Sequence, residues 1–281
     1  MLKQKSIIFM LRLLSKLPLW VVHGLGKLLG WIIFLSNKKY ARLINQNLQS
    51  SQLCPNKTAF KKTRRENVGE TGKAFLETFA IWFKNYTKLK TFYESCSGWE
   101  HVEKALNNKQ GIIFLTPHLG CFEITSLYYG QFHPVTVLFR PPRQSWLMPL
   151  IYEGRQRGQV SLAPANQQGV KQLLQALKRG EAVGILPDQA PHEGEGEWVP
   201  FFNRPAYTMT LASKLAEKTG AQVLMAFGER LSKGRGYHIH FWPIEAGGIA
   251  TPTLLNHEIE KMIAQYPAQY MWGYDRYKVR T

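Results

Sequence analysis

The sequence has few cysteines and few acidic residues for its length. Its 281 residues include three cysteines, Cys54, Cys96 and Cys121, and 19 acidic residues against 36 Lys and Arg, which gives a formal net charge of +17. Three widely spaced cysteines provide neither a disulfide framework nor a metal-ligand spacing, so a reducing compartment is expected. The excess of positive charge favours a polyanionic partner: nucleic acid, anionic lipid or an acidic carrier protein.

Several familiar catalytic and binding motifs are also absent. The sequence has no G-x-S-x-G nucleophile elbow, no H-E-x-x-H zinc motif, no P-loop and no G-x-G-x-x-G dinucleotide fingerprint. It has no RNA-recognition or zinc-finger pattern, so nucleic acid is not predicted as a partner. The histidine and glutamates of 192–197 do not match a strong metal motif, and we predict neither a metal nor a cofactor.

Apolar segments alternate along the chain between strand-like and helix-like patterns. This alternation is typical of an α/β fold with a largely parallel central sheet and helices on both faces. The residues 190–206 are predicted to form a long irregular loop that caps an apolar slot with Trp198, Phe201 and Phe202. The predicted strands are 112–115, 135–143, 182–189, 221–230 and 237–244, and the predicted helices include 66–95, 145–158, 167–179, 208–219 and 253–265.

The N-terminal segment, residues 1–36, is predicted to anchor the protein to a membrane, and residues 37–281 to form a single domain. Residues 6–36 are strongly apolar, but charges interrupt them and no cleavage site follows, which argues against a cleaved signal peptide. On one helical rod kinked at Pro18, five basic or titratable residues share a narrow stripe. That pattern suits either a helix lying in the membrane interface or a single span. The stripe consists of Lys5, Arg12, Lys16, His23 and Lys27.

The stretch GIIFLTPHLGCFE, residues 111–123, carries the strongest chemical signal. A buried strand is predicted at 112–115, His118 follows in a turn, and Glu123 lies in the first turns of a helix. A separation of five residues places two side chains about 140° apart on a continuous helix, so the pair can meet only if the chain folds back at the turn. A histidine oriented by a carboxylate can accept a proton near neutral pH. Cys121 is assigned to packing.

Polar residues also follow two other predicted strands. Arg140 ends the strand in VTVLFRPPR, and Asp188 and Gln189 end the strand in AVGILPDQ. Because the carboxyl ends of parallel strands share one edge of a sheet, these residues and His118 are expected to form one site. An arginine there can bind a phosphate or carboxylate with two hydrogen bonds, or form a surface salt bridge.

Six blocks in order resemble one protein family. TPHLGCFE is similar to the H-x-x-x-x-D/E block of the glycerolipid acyltransferases, and the chain more specifically resembles the late lipid A acyltransferases of the lauroyl/myristoyl class. The resemblance covers nearly the whole chain. The other five blocks are VLFRPPR, GRQRG, LPDQ, VPFFNRPAYTMT and YMWGYDRYKVR.

The resemblance implies transfer of an acyl chain from acyl carrier protein, or from acyl-CoA, to a hydroxyl of a lipid A precursor at the cytoplasmic side of the bacterial inner membrane. In that reaction His118 would remove the hydroxyl proton and Glu123 would orient the imidazole, without an acyl-enzyme. Two alternatives stay open: another lipid acceptor, such as a lysophospholipid or an aminolipid, and a non-catalytic lipid-binding protein. The residues expected to bind substrate are Arg140, Arg155, Asp188, Gln189 and Arg204.

Overall fold

The computed structural model describes residues 2–142 and 144–278 of the chain. Residues 1, 143 and 279–281 lie outside that part. They include the first residue of the predicted N-terminal segment and the last residues of the VLFRPPR and YMWGYDRYKVR blocks. The helices are α1 (Leu2–Leu14), α2 (Leu19–Ser36), α3 (Lys38–Ser50), α4 (Lys57–Phe83), α5 (Tyr86–Leu89), α6 (Trp99–Asn107), α7 (Phe122–Tyr129), α8 (Met148–Arg155), α9 (Gln167–Lys178), α10 (Leu211–Thr219) and α11 (Pro252–Gln265). The strands are β1 (Tyr93–Ser97), β2 (Ile112–Leu115), β3 (Val135–Phe139), β4 (Val160–Pro164), β5 (Ala182–Ile185), β6 (Gly196–Phe201), β7 (Arg204–Met209), β8 (Gln222–Arg230) and β9 (Tyr237–Pro243).

The predicted α/β class is confirmed. Within the described residues, one seven-stranded sheet has the order β1-β9-β8-β2-β5-β3-β4, and all neighbours pair in parallel except β8 with β9. Ile113 and Leu115 of β2 pack into one hydrophobic core, and Ile112 and Phe114 pack into a second. Both faces of the sheet are therefore covered, which explains why this strand is a continuous apolar run.

The prediction of a long irregular loop at 190–206 is wrong. Strands β6 and β7 form an antiparallel hairpin there, in register from Gly196 with Met209 to Phe201 with Arg204. Phe201 and Phe202 are buried in the core, whereas Trp198 is half exposed and packs on the ring of Tyr207. The aromatic residues therefore fasten the hairpin to the domain and do not cap a slot.

Other differences lie at the edges of the sheet. The predicted helix 66–95 begins earlier, at Lys57, and ends at Phe83, after which the chain forms the edge strand β1. The second edge strand, β4, was not predicted either. Edge strands carry polar residues on exposed positions, so their apolar period is weak, as in the YESCS sequence of β1.

The N-terminal segment forms two helices rather than one kinked rod. Helix α1 ends at Leu14, and α2 begins after Pro18 and packs along α4 at a glycine contact. A Cβ added to Gly30 would lie 2.1 Å from the carbonyl oxygen of Val68, and one added to Gly72 would lie 2.0 Å from that of Gly26. Only glycine allows the two backbones to approach this closely.

The predicted basic stripe is wrong at His23. This side chain is buried between α2 and α4, where its Nε2 lies 2.9 Å from a carboxylate oxygen of Glu77. Helix α2 is apolar enough and long enough to cross a membrane, with a mean hydropathy of 1.6, but five of its 18 residues are buried against the protein. The division into an anchoring segment and a catalytic domain stays a prediction.

Candidate active site

The two central strands β2 and β5 bring His118 and Asp188 together. Their pairing is in register to the last residue, and the backbone N–H of Thr116 then donates to the carbonyl of Ile185 at 2.9 Å. His118 and Asp188 each lie three residues beyond the end of their strand. Because the strands are parallel neighbours, the two turns leave the same edge of the sheet side by side.

Both ring nitrogens of His118 have hydrogen-bond partners. Nδ1 lies 2.8 Å from Oδ1 of Asp188, and the backbone N–H of His118 donates to Oδ2 at 2.9 Å. The side-chain nitrogen of Gln189 lies 3.1 Å from Nε2. A carboxylate at Nδ1 requires the proton there, which leaves the Nε2 lone pair available as a base.

The Asp188 carboxyl is buried and ionised. Burial by itself would raise its pKa, but the charge and the two hydrogen bonds of His118 outweigh that effect, and Arg276 adds to it, so the pKa of Asp188 is lowered. The anion is therefore maintained near neutral pH, where it orients the imidazole and stabilises an imidazolium.

The predicted contact between Glu123 and His118 is wrong. Glu123 is the second residue of α7, and its carboxylate accepts hydrogen bonds from Nε of Arg155 at 2.8 Å and from the indole N–H of Trp82 at 3.0 Å. A second hydrogen bond from Arg155 makes the ion pair bidentate. The five-residue separation turns the carboxylate away from the imidazole, toward α4 and α8.

The Glu123 carboxylate also keeps Arg155 protonated. Burial would lower the pKa of the Arg155 guanidinium, but the adjacent Glu123 carboxylate more than offsets this and the pKa is raised. The Cζ atom of the Arg155 guanidinium lies over the Trp82 ring, 5.4 Å from the ring centroid. Arg155 is thus a permanent, oriented cation that lines the same cavity as His118.

The turn that carries His118 has a backbone that requires glycine. Gly120 has φ +56°, and a Cβ there would lie 2.2 Å from the carbonyl oxygen of Gly228. Its carbonyl accepts from Arg230 at 2.9 Å, and its N–H donates to the carbonyl of Gln269 at 3.0 Å. Cys121, next in the chain, lies in the core as predicted, and burial followed by the Glu77 charge raises the pKa of its thiol well above the ordinary value.

A cavity of about 730 Å³ opens beside this turn. Its volume lies within the range of small-molecule sites. His118, Glu123, Arg140, Arg155 and Gln189 line it, and Asp188 is buried directly behind His118. Apolar residues from β3, β4, β7, α7, α9 and α10 form much of the remaining wall: Phe122, Val137, Leu138, Phe139, Leu162, Val170, Met209 and Leu211.

Arg204 lies away from this cavity. Its guanidinium packs 3.7 Å over the ring of Tyr277 and donates to the Ser50 hydroxyl at 3.2 Å on α3. That position ties the β6–β7 hairpin to α3 and does not support the predicted binding of substrate by Arg204.

Sequence reasoning missed part of the site. Lys171 on α9 and Lys214 on α10 are exposed at the cavity with Arg140, and no local motif marks either lysine. The orienting role of Asp188 did leave a signal, because Asp188 and His118 follow two apolar strands at the same three-residue spacing.

The sequence matches the family described as bacterial lipid A biosynthesis acyltransferase over residues 5–279. It is 28% identical to a lipid A biosynthesis lauroyltransferase of Escherichia coli strain K12, over 95% of this chain and 89% of that protein. It is 26% identical to a lipid A biosynthesis palmitoleoyltransferase of the same strain, over 94% of this chain and 87% of that protein. A lipid A biosynthesis acyltransferase of Haemophilus influenzae is 24% identical over 94% of this chain and 86% of that protein.

Proposed function

This chain belongs to the bacterial lipid A biosynthesis acyltransferase family, and from that premise we propose that it moves a fatty acyl chain from an acyl carrier protein or acyl-CoA thioester to a hydroxyl of a lipid A precursor. The observation that carries the proposal is the His118 imidazole. The Asp188 carboxylate lies at its Nδ1 and His118 lines the cavity, an arrangement in which Nε2 can serve as the base.

His118 acts as a general base and then as a general acid. As the acceptor oxygen bonds to the thioester carbon, its proton moves to Nε2 of His118, and the carbonyl π electrons move onto oxygen. When the carbonyl re-forms, the carbon–sulfur bond breaks and the leaving sulfur takes the proton from Nε2. Each proton transfer of this kind contributes about 10²–10⁴-fold. The amide of Gln189 occupies the position that the acceptor hydroxyl would take.

Arg155 stabilises the negative charge that develops on the thioester oxygen. Its Nε and one terminal nitrogen are held by Glu123, which leaves the other donors for the cavity that Arg155 lines. A cation fixed in advance costs little reorganisation during the reaction. In this role Glu123 acts through Arg155 and not through His118.

The cations at the cavity bind the anionic part of the acceptor. Arg140, Lys171 and Lys214 are exposed there, and Glu195 is one of two carboxylates in the lining, the other being the paired Glu123. Phosphate groups of a lipid A precursor fit this charge, whereas the apolar wall fits an acyl chain. The surplus of positive charge elsewhere on the surface would attract an acidic carrier protein and an anionic membrane.

The membrane contact is a continuous apolar surface on α1 and α2, on the cytoplasmic side of the inner membrane. One face of α2 packs on α4, and the opposite face is exposed and apolar, which favours a helix pair that lies in the interface over a free span. Phe75 of α4 is also exposed. The exposed residues are Ile7, Phe9, Met10, Leu13, Trp20, Leu25, Leu28, Ile32 and Leu35.

Substituting part of this surface tests the attachment without removing α2, which covers the buried Glu77. Leu28→Gln with Ile32→Gln should move a large share of the protein to the soluble fraction, whereas Leu254→Gln, at an exposed leucine on α11, should not. High salt should fail to extract the wild type and detergent should succeed. Cysteines at Lys3 and Lys38 that label from opposite sides of the membrane would contradict the interfacial geometry.

Purified protein assayed with thioester donors and labelled lipid acceptors tests the reaction. We expect transfer to a lipid A precursor from a carrier-protein or CoA thioester. Transfer to a lysophospholipid or an aminolipid in its place would identify another acceptor. Lipid binding without transfer from any donor would overturn the proposed chemistry.

A further inference from the structure

A second, smaller cavity of about 30 Å³ lies beneath α7. It shares four lining residues with the large cavity, so one layer of side chains separates the two spaces. These shared residues are Phe122, Ser126, Val137 and Leu186.

The small cavity continues the large one toward the interior of the domain. The large cavity touches the carboxyl end of β3, from Val137 to Phe139, whereas the small one reaches Val135 at the start of that strand. Phe114 and Phe241, whose ring centroids lie 5.2 Å apart, also line it. A chain that entered between α7 and β3 would therefore follow the sheet inward.

The lining of the small cavity suits hydrocarbon. Most of the residues around it are aliphatic or aromatic, and the Thr125 hydroxyl already donates to the Phe122 carbonyl at 2.9 Å. Small apolar cavities stay free of water, so no ordered water has to be displaced when a methylene group enters.

Gly184 lines this cavity and packs closely against Val137. It lies in the central strand β5, which pairs without a bulge with β2 on one side and β3 on the other. A glycine inside such a strand weakens it and commonly marks the close approach of another group. A Cβ here would lie 3.3 Å and 3.7 Å from the two methyl carbons of Val137, which lines both cavities, so a side chain would take space from the small cavity and press on the residue between the two.

We propose that Gly184 sets the length of the acyl chain that the enzyme transfers, because its missing side chain leaves room for the end of the chain beneath α7. The inference rests on the proposed function, since it names where the donor's acyl tail lies. Family membership does not determine this length, because the relatives are named for lauroyl, palmitoleoyl and myristoyl groups. The Phe122 ring, 4.8 Å from that of His118, stands at the entrance.

The test measures kcat/KM for saturated acyl donors that differ by two carbons. Gly184→Ala should move the optimum to a shorter chain by about two carbons. The longest good substrate should lose about fifteenfold relative to the next shorter one, since the two differ by two methylene groups and each buried methylene contributes about fourfold. Val135→Ala, which enlarges the inner end, should move the optimum to a longer chain.

Val183→Ala is the matched control. Like Val135→Ala, it replaces a buried valine by alanine. Val183, however, belongs to the core on the opposite face of the sheet. It should change stability and leave the chain-length profile in place. Active Gly184→Ala and Val135→Ala enzymes with an unchanged profile would overturn the inference and leave the proposed function intact. A wild-type enzyme inactive with every donor would instead contradict the function itself.

Discussion

Two clusters in this molecule each contain a histidine, two carboxylates and an arginine, but their surroundings differ. In the core cluster, His23, Glu77, Arg230 and Tyr237 are buried, and the partly exposed Glu70 also binds Arg230. In the cavity cluster, defined here as His118, Asp188, Gln189, Glu123 and Arg155, the polar groups line the large cavity or lie directly behind it.

The clusters differ in how fully their charges are paired. Glu77 accepts from His23, Tyr237 and Arg230, and burial is more than offset by Arg230 and His23, so the pKa of Glu77 is lowered. Arg230 in turn also binds Glu70 and the carbonyl of Gly120. No capacity is left for a ligand, which makes this cluster a clamp between α2, α4, β8 and the turn that carries His118.

In the cavity cluster, by contrast, groups are oriented but kept accessible. Asp188 is 2% exposed, whereas the side chains of His118 and Arg155 are 12% and 22% exposed, because the cavity begins there. The comparison teaches that a histidine with a carboxylate becomes a candidate base only where one nitrogen faces a space that substrate can enter.

The largest effect is expected from His118→Ala. Loss of the base should lower kcat by up to about 10⁴-fold. The thermal midpoint should fall less than in a variant of the core cluster, although the buried Asp188 carboxylate loses its partner. His23→Ala in the core cluster should do the reverse: a lower midpoint, with kcat of the folded protein within about tenfold of wild type. Equal losses of kcat in the two variants would remove the distinction between the clusters.

Arg230→Met is expected to be the most damaging change to stability. It leaves the buried Glu77 carboxylate without its guanidinium partner in the interior, which should lower the free energy of unfolding by about 3–5 kcal/mol, whereas the partly exposed Glu70 keeps Lys73. Denaturant titration measures the loss, and the double variant Arg230→Met with Glu77→Leu should recover part of it. A loss below about 1 kcal/mol would show that the clamp is not needed.

Asp188→Asn should impair catalysis with a smaller effect on folding. An asparagine that donates to Nδ1 of His118 favours the tautomer with the proton on Nε2, and kcat should fall by at least about 10²-fold. The KM for the donor should change little. A variant with wild-type kcat would show that Asp188 does not orient the base.

Arg155→Lys should lower kcat by about tenfold. Lysine keeps the charge but cannot make the two parallel hydrogen bonds to Glu123, so the cation is less well placed. Steady-state kinetics of this variant beside Arg157→Lys, whose guanidinium donates to backbone carbonyls of Ile81 and Lys84, separates the site from the surrounding scaffold. A larger loss in Arg157→Lys would argue against a direct role of Arg155.

The smallest effect concerns acid stability. Because the pKa of Glu77 is lowered by folding, its contribution is present above the ordinary glutamate pKa near 4.5 and is lost as the pH falls toward the lower folded value. The stability difference between wild type and the Arg230→Met, Glu77→Leu double variant should therefore shrink below about pH 4. A constant difference down to pH 3 would contradict this linkage.

Much of the fold could be predicted because the apolar runs were strong. The central strand at 112–115 and the helix from Gln167 appear close to their predicted bounds, and the strand predicted at 182–189 begins where expected but ends at Ile185. The edge strand β4 and the β6–β7 hairpin could not be predicted. Half-exposed strands have no clear apolar period in their sequence, and they form because they pair with other segments of the chain.

The sequence by itself determined that a histidine follows a buried strand, that Arg140 and Asp188 follow two others, and that the N-terminus is apolar. The local sequence pattern suffices for these statements, because a run of apolar residues indicates a buried strand and the polar residues that follow it mark where the strand ends. Only the tertiary structure decided that Asp188 and not Glu123 holds the imidazole, since the order of β2 beside β5 places the two turns in contact. It also moved His23 from a supposed basic stripe to a buried ion pair, because the partner Glu77 lies 54 residues away on a helix that packs against α2 through glycines.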